Sequence, residues 1–378
     1  MKRLIITLLS GCAVLHAMAQ PLTSPNGKIT MTVEDTTATV FYQQQKVLEM
    51  VVNPSPSTLH PSPSPLTNHH SPNAITVDYQ MVSGKRKHCT NEANEYRVGD
   101  MTLRLYNDGI AVQSSSVSYR IPEGTKRWMQ QWCDSYEGFF PLSTTYKVAP
   151  VPSYSGTFKS AEGYCNRWGY PALIEVKDVY ALITEANIEK GHSASCLYND
   201  GEWFRVVPDE LTTLASRTSH LAARTSPPWR VVIIGSLADV VESTLVTDVS
   251  DPCKLTDTSW IHPGVVSWIY WAYNHGSNDY QIIKQYVDLA VALRLPYVLI
   301  DAEWDTMKDG YTIEDAIRYA KAMGVKPLIW YNSSVGWVDG APTPKYRLNE
   351  PEDREKEFAW LERLGVAGVK IDFFSGDN

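Results

Sequence analysis

Lys370 and Asp372 are the two residues whose types and spacing could do chemistry. They lie in the run Gly365-Val366-Ala367-Gly368-Val369-Lys370-Ile371-Asp372-Phe373-Phe374, whose β-branched residues predict a short buried strand ending on a carboxylate. Residues two apart on a strand share a face. The charged pair therefore points one way, and Val369, Ile371 and Phe373 point the other. The apolar set can pack under a helix layer. The charged set then lines the inside of a sheet or barrel, where a lone carboxylate is costly to keep ionised. A neighbouring ammonium favours the anion, which a nucleophile must be. A structural Lys–Asp pair fits the same spacing.

The elements that would position this pair begin after Pro252. Val265 to Trp271 reads as a strand, and Tyr280 to Leu295 carries a helical stripe at Ile283, Val287, Ala290 and Leu293, with Ser277 or Asn278 as its cap. Pro296 to Asp301 is a near-continuous apolar strand. Thr312 caps a second helix, with Ile313, Ala316, Ile317, Ala320 and Met323 on one side and Gly324 at its end. Lys326 to Tyr331 is a third strand. Asn349-Glu350-Pro351 opens a third helix with Phe358, Leu361 and Leu364 as its buried stripe. The order β-α-β-α-β-α-β implies parallel strands with crossover helices. Either an eight-unit barrel or a doubly wound sheet fits. No Gly-rich turn follows the first strand, which argues against a dinucleotide site. Carboxylates and aromatics gather instead at strand C-terminal ends: Trp271, Asp301, Glu303, Trp304, Asn332 and Asp372. Barrel enzymes keep their chemistry there. Asp301 and Glu303 could bind a ligand's hydroxyls or serve as polar barrel core. Trp271, Trp304 and Trp330 could line a ring pocket or simply pack. A full barrel takes about 250 residues. The segment from Trp260 onward supplies roughly half, so the chain reads as a truncated product that stops after strand four unless a partner chain completes it.

Residues 20–252 read differently. Short runs alternate in polarity: Ile29 to Val33, Thr39 to Tyr42, Thr102 to Tyr106, Trp229 to Ile234. Turn signals separate them, at Pro25-Asn26-Gly27, Asn107-Asp108-Gly109 and Asn199-Asp200-Gly201. This predicts antiparallel sheets in a sandwich. Asn53 to Pro72 is crowded with Pro, Ser and Thr and reads as a solvated loop; its His69-His70 pair is a weak metal candidate. Glu185 ends the strand Val179 to Asn187. It is either a solvated terminus or a ligand to a hard cation.

A net charge of −8 with no run of Lys and Arg argues against nucleic acid as a partner. Residues 1–19 read as a signal peptide: Lys2-Arg3, an apolar run to Leu15, then Ala17-Met18-Ala19. The expected destination is the periplasm. Leu9-Ser10-Gly11-Cys12 leaves lipid anchoring at Cys12 as a minor alternative. No other apolar run is long enough for a transmembrane helix. Once Cys12 leaves, Cys89, Cys133, Cys165, Cys196 and Cys253 remain, an odd number with no CxxC spacing, so a zinc site is not expected.

The segments Ser24 to Lys28, Tyr106 to Ala111, Ile183 to Ala186, Asp257 to Gly264, Pro296 to Asp301 and Gly365 to Asp377 together make the chain resemble glycoside hydrolase family 97. The resemblance implies an N-terminal antiparallel β-super-sandwich at 20–252, followed by the first half of a (β/α)8 barrel at 253–378. It implies an α-glycosidase acting on α-glucosides or α-galactosides, often calcium-dependent. In the retaining branch the nucleophile is the Asp that Asp372 matches, while the inverting branch lacks a carboxylate there. The resemblance thus implies a retaining enzyme, α-galactoside-cleaving above all, inactive as this fragment. Lys370 would hold Asp372 ionised at the sugar site. Glu185 matches a calcium ligand supplied by the sandwich. The acid/base glutamate and the other calcium carboxylates would lie beyond Asn378. An inverting α-glucosidase and a non-catalytic sugar-binding protein are the alternatives.

Overall fold

A computed structural model describes residues 20–53, 71–99, 101–114, 116–130, 137–139, 167–188, 195–208, 227–273, 276–333 and 342–372. Residues 1–19, where a signal peptide is expected, most of the Pro-rich stretch, both of its histidines, Cys133, Cys165 and Phe373 lie outside the described residues.

Two antiparallel sheets form the first part. One runs from edge to edge through Leu22–Thr23, Ile29–Glu34, Thr37–Tyr42, Gln45–Asn53, Ser116–Arg120, Trp203–Pro208, Ser195–Asp200 and Arg167–Trp168. The other runs through Glu137–Phe139, Lys126–Gln130, Ala172–Val176, Val179–Ala186, Trp229–Gly235, Gly109–Gln113, Met101–Tyr106, His88–Val98 and Asn73–Gln80. Alternation sets which side chains go inward. Ile29, Met31 and Val33 are buried while Thr30 and Thr32 are half-buried. Val40, Met50, Tyr119 and Phe204 of the first sheet meet Leu103, Ile110, Val112, Ile183 and Val232 of the second in one core.

Trp229–Gly235 is buried at every position. Its second face is covered by two short helices, Leu237–Glu242 and Leu245–Val249, whose Val240, Leu245 and Val249 pack on Tyr106, Ala111, Val231 and Ile233. The sequence reading had no helix here. Gly109 makes the close approach possible. A Cβ at this position would lie 2.3 Å from the Val232 carbonyl oxygen and 2.5 Å from Leu245 Cδ2. Gly109→Ala should therefore cost about 1–3 kcal/mol through overpacking against backbone. A lowered urea midpoint with an unchanged slope would show it.

After Pro252 the architecture changes to β1 (Val266–Trp268), α1 (Tyr280–Leu293), β2 (Tyr297–Ile300), α2 (Ile313–Ala322), β3 (Lys326–Asn332), α3 (Pro351–Leu364) and β4 (Gly368–Asp372). All neighbouring pairs are parallel, and spatial order follows chain order. A doubly wound sheet would reverse direction at a switch point. Among the described strands there is no reversal, which is the arrangement of an opening half-barrel. Ile283, Val287, Ala290, Ala316, Ile317 and Ala320 cover Val298, Ile300, Ile329 and Tyr331 on one face of the sheet.

Local signals hold with four corrections, the first being the ends of two stripes: Leu293 and Met323 are 59% and 40% exposed. Thr312 and Asp315 form a capping box at α2, Pro351 opens α3, and Gly365 closes it at φ 78°. The α1 cap is Asp279, which accepts from Gln281 and Ile282; Ser277 and Asn278 lie in a preceding 3₁₀ turn instead. In α3 only Leu361 is buried, and Phe358 is 39% exposed. On β4, Val369 packs with the helix layer as expected, but Ile371 stays 38% exposed.

Candidate active site

The candidate residues gather on the side of the sheet away from the helices. Register aligns the strands in layers: Trp268 with Leu299, Leu299 with Leu328, then Trp330 with Lys370 and Asn332 with Asp372. Period-two alternation sends Trp268, Leu299, Asp301, Trp330, Lys370 and Asp372 to one face. The expected Lys370–Asp372 pair forms, with Nζ 3.1 Å from Asp372 Oδ2. The same ammonium lies 3.3 Å from Asp301 Oδ2 and 4.4 Å from the centre of the Trp268 ring. One cation thus bridges two carboxylates and rests on an aromatic face, which it attracts electrostatically.

Asp301 is 2% exposed. Its Oδ2 also accepts from Trp268 Nε1 at 2.6 Å, and its Oδ1 accepts from the Ala302 amide at 2.8 Å. It is the buried counter-ion of Lys370, the polar-core side of the sequence reading. Glu303 is half-buried, with φ 67°, and its amide donates to the Thr343 carbonyl. A left-handed backbone at a non-glycine residue costs roughly 1–2 kcal/mol, strain of a kind that collects at functional sites. Asn278 Nδ2 donates to Glu303 Oε2 at 3.3 Å.

The three tryptophans separate. Trp271 is 75% exposed at the rim, edge-on to Trp268 at 5.6 Å. Trp304 is 2% exposed among the helices, stacked with Trp360 and under Arg347, and its Nε1 donates to the Trp330 carbonyl. It presents no face to a ligand, and the ring-pocket expectation is corrected there. Trp330 is 1% exposed; its Nε1 donates to Asp372 Oδ2 at 3.0 Å. Its ring is likewise closed to a sugar.

Two residues were missed. Trp268 supplies the indole contacts because β1 ends three residues before Trp271. Tyr270 follows at the next inward position. Burial pushes its hydroxyl up, and the Asp301 and Glu303 carboxylates add to this while Lys370 opposes it. The alternation 266, 268, 270 was the signal for both.

Glu185 lies elsewhere, inside the sandwich. It sits directly opposite Arg230 in the ladder. Its carboxylate accepts from Arg230 Nη1, and from Ser195 Oγ at 2.9 Å. Burial raises the nearby Tyr119 hydroxyl, with Arg230 opposing and Glu185 adding. Among the described residues, a dication here would have to displace the Arg230 guanidinium from Glu185. Among the described residues no group of three or more His, Cys, Asp or Glu could hold a metal ion. Glu185 is thus paired with Arg230, and the described residues alone do not assemble the expected calcium site, whose other carboxylates would lie beyond Asn378.

Family comparison agrees with this geometry. The profile for the glycosyl-hydrolase 97 N-terminal region matches residues 22–252, and that for glycoside hydrolase 97 matches residues 260–378. The chain belongs to glycoside hydrolase family 97. A probable retaining α-galactosidase of Streptomyces bingchenggensis is 27% identical over 302 residues, covering 74% of this chain and 43% of that protein. A retaining α-galactosidase of Bacteroides thetaiotaomicron is 29% identical over 161 residues, covering 40% of this chain and 23% of that one. The chain thus spans less than half the length of these relatives. A solved β-arabinopyranosidase shares the fold at TM-score 0.68 and 22% identity, covering 95% of this chain and 63% of that chain. A family 97 enzyme from Pseudoalteromonas sp. strain K8, in complex with acarbose, shares it at TM-score 0.65 and 16% identity, covering 94% and 59%. No helix among the described residues is long and apolar enough to cross a membrane.

Proposed function

We propose that this family 97 chain carries the nucleophile half of a retaining α-galactosidase. One observation carries the reading. Asp372 ends β4 on the inward face, and its Oδ2 takes two donors, Lys370 Nζ and Trp330 Nε1. An ammonium and an N–H directed at a carboxylate keep it ionised and oriented for attack. The names of the two curated relatives support the retaining mechanism and the galactoside.

In this mechanism an Asp372 oxygen bonds to the anomeric carbon as the glycosidic bond breaks. The electron pair leaves with the departing oxygen, which takes a proton from an acid/base carboxylic acid. Water, deprotonated by the same group, then displaces Asp372. The two carboxyl groups would stand ~5–5.5 Å apart. Trp271, the exposed ring at the rim, would stack on the departing group in this reading. Export to the periplasm through the leader at 1–19 belongs to the same proposal.

The reading is tested on the chain extended to the length of its relatives. Proton NMR of the first-formed sugar should show the α anomer from an α-galactoside. The β anomer would return the protein to the inverting class and make the Lys370–Asp372 pair structural.

A further inference from the structure

We propose that Trp330 is a positioning residue for the nucleophile. Its indole N–H would hold the Asp372 carboxylate in its reacting orientation and favour its ionised form. The inference rests on Asp372 being the nucleophile and goes beyond that assignment.

An inward-facing tryptophan beside a sugar-cleaving carboxylate is expected to stack on the sugar. Trp330 does not have that option, because it is 1% exposed. Its ring is packed with Leu299 and Ala302, and Val266, Trp268, Tyr270 and Leu328 close around them. Indole nitrogen only donates, and a buried donor needs an acceptor. The acceptor it has is Asp372 Oδ2, at 3.0 Å.

Lys370 reaches the same oxygen at 3.1 Å, so two donors converge on it. They differ in kind. The lysine is a point charge on a flexible stem, one-third exposed and shared with Asp301. The indole is rigid, uncharged and fixed from two sides. Packing holds its ring, and its backbone carbonyl accepts from Trp304 Nε1 at 2.7 Å. Lys370 therefore supplies charge and Trp330 supplies direction. Asp372 lies opposite Asn332 in the ladder, two residues beyond Trp330, so the β3–β4 register itself aims the N–H at the carboxylate. Among the described residues, the other titratable groups near this site include Asp301, Glu303 and Tyr270. None of them reproduces a fixed neutral donor.

The donor orients the carboxylate for the first step and stabilises it as the leaving group in the second. Asp372 gives up its negative charge when it becomes the ester. The charge returns when water displaces it. A preorganised donor on the carboxylate stabilises the returning charge without reorganising.

The test removes the N–H, in the chain extended to the length of its relatives. One variant is Trp330→Phe. A second replaces the Trp330 indole with benzothiophene by non-natural amino-acid incorporation, which keeps ring size and deletes the donor. Both should lower kcat by roughly 10-fold or more, the scale of one lost transition-state hydrogen bond, with KM little changed. Both should move the acidic limb of the kcat/KM profile to higher pH, because the lost bond favoured the charged carboxylate. A purely structural role would not move that limb. If the limb stays put in the benzothiophene variant while kcat falls, the proposal is overturned. A fluorosugar inactivator, with peptide mass mapping, separates this from the underlying reading. Label on Asp372 with an unmoved limb defeats the proposal alone. Label elsewhere defeats the nucleophile assignment and the proposal together.

Discussion

Replacing Asp372 with Asn, in the chain extended to the length of its relatives, is expected to lower kcat by about 10⁴-fold or more. This is the scale of deleting a covalent nucleophile. The amide cannot form the glycosyl ester, yet it keeps the size of the side chain. Trp330 Nε1 can still donate to its oxygen, so the site should stay packed. Lys370 also keeps Asp301 as a partner at 3.3 Å, and the ammonium is not orphaned. Azide is small enough to enter the space left by the missing bond. With an activated α-galactoside it should restore turnover and give the glycosyl azide of opposite anomeric configuration. Rescue with the same configuration as the substrate would remove Asp372 from the nucleophile role. Full activity without azide would do so more directly.

The second large effect belongs to the sandwich. Arg230→Met should cost about 3–5 kcal/mol of stability, because it strands Glu185. The side chains are 6% and 17% exposed, so water screens neither well. Arg230 also donates to the Ser114 carbonyl at 3.3 Å and to Ser195 Oγ at 3.3 Å, linking the two sheets. Removing the partner charge as well should recover much of the loss. Arg230→Met with Glu185→Leu is therefore expected to be markedly more stable than Arg230→Met alone. Urea unfolding of the four members of this cycle measures the coupling. Coupling under about 1 kcal/mol would mean that the pair behaves like a surface salt bridge.

Periodicity carried most of the architecture. Alternation at Ile29 to Val33 and Thr102 to Tyr106 marked sandwich strands, and the stripe at Ile283, Val287 and Ala290 marked α1. Lys370 and Asp372 were legible as a pair because strand geometry alone puts them on one face. The two helices after Gly235 were not, since six and five residues are too few to display a helical period. Nor could sequence sort the tryptophans. A tryptophan at a strand end has the same appearance whether its ring meets solvent, as at Trp271, or is enclosed, as at Trp304 and Trp330. Glu185 shows the same limit at longer range. Its environment depends on which strand lies alongside, and Arg230 is brought there by pairing that no local pattern encodes.

The pairing of strands also sets an order of folding. In the parallel sheet each strand lies beside the one made just before it, so that unit can grow as the chain emerges. The sandwich cannot. Trp229–Gly235 inserts between Val179–Ala186 and Gly109–Gln113, and Gln45–Asn53 waits for Ser116–Arg120. Such distant closures fold slowly and leave strand edges open meanwhile. The sandwich therefore cannot close before Trp229–Gly235 is available, however early its first strands appear.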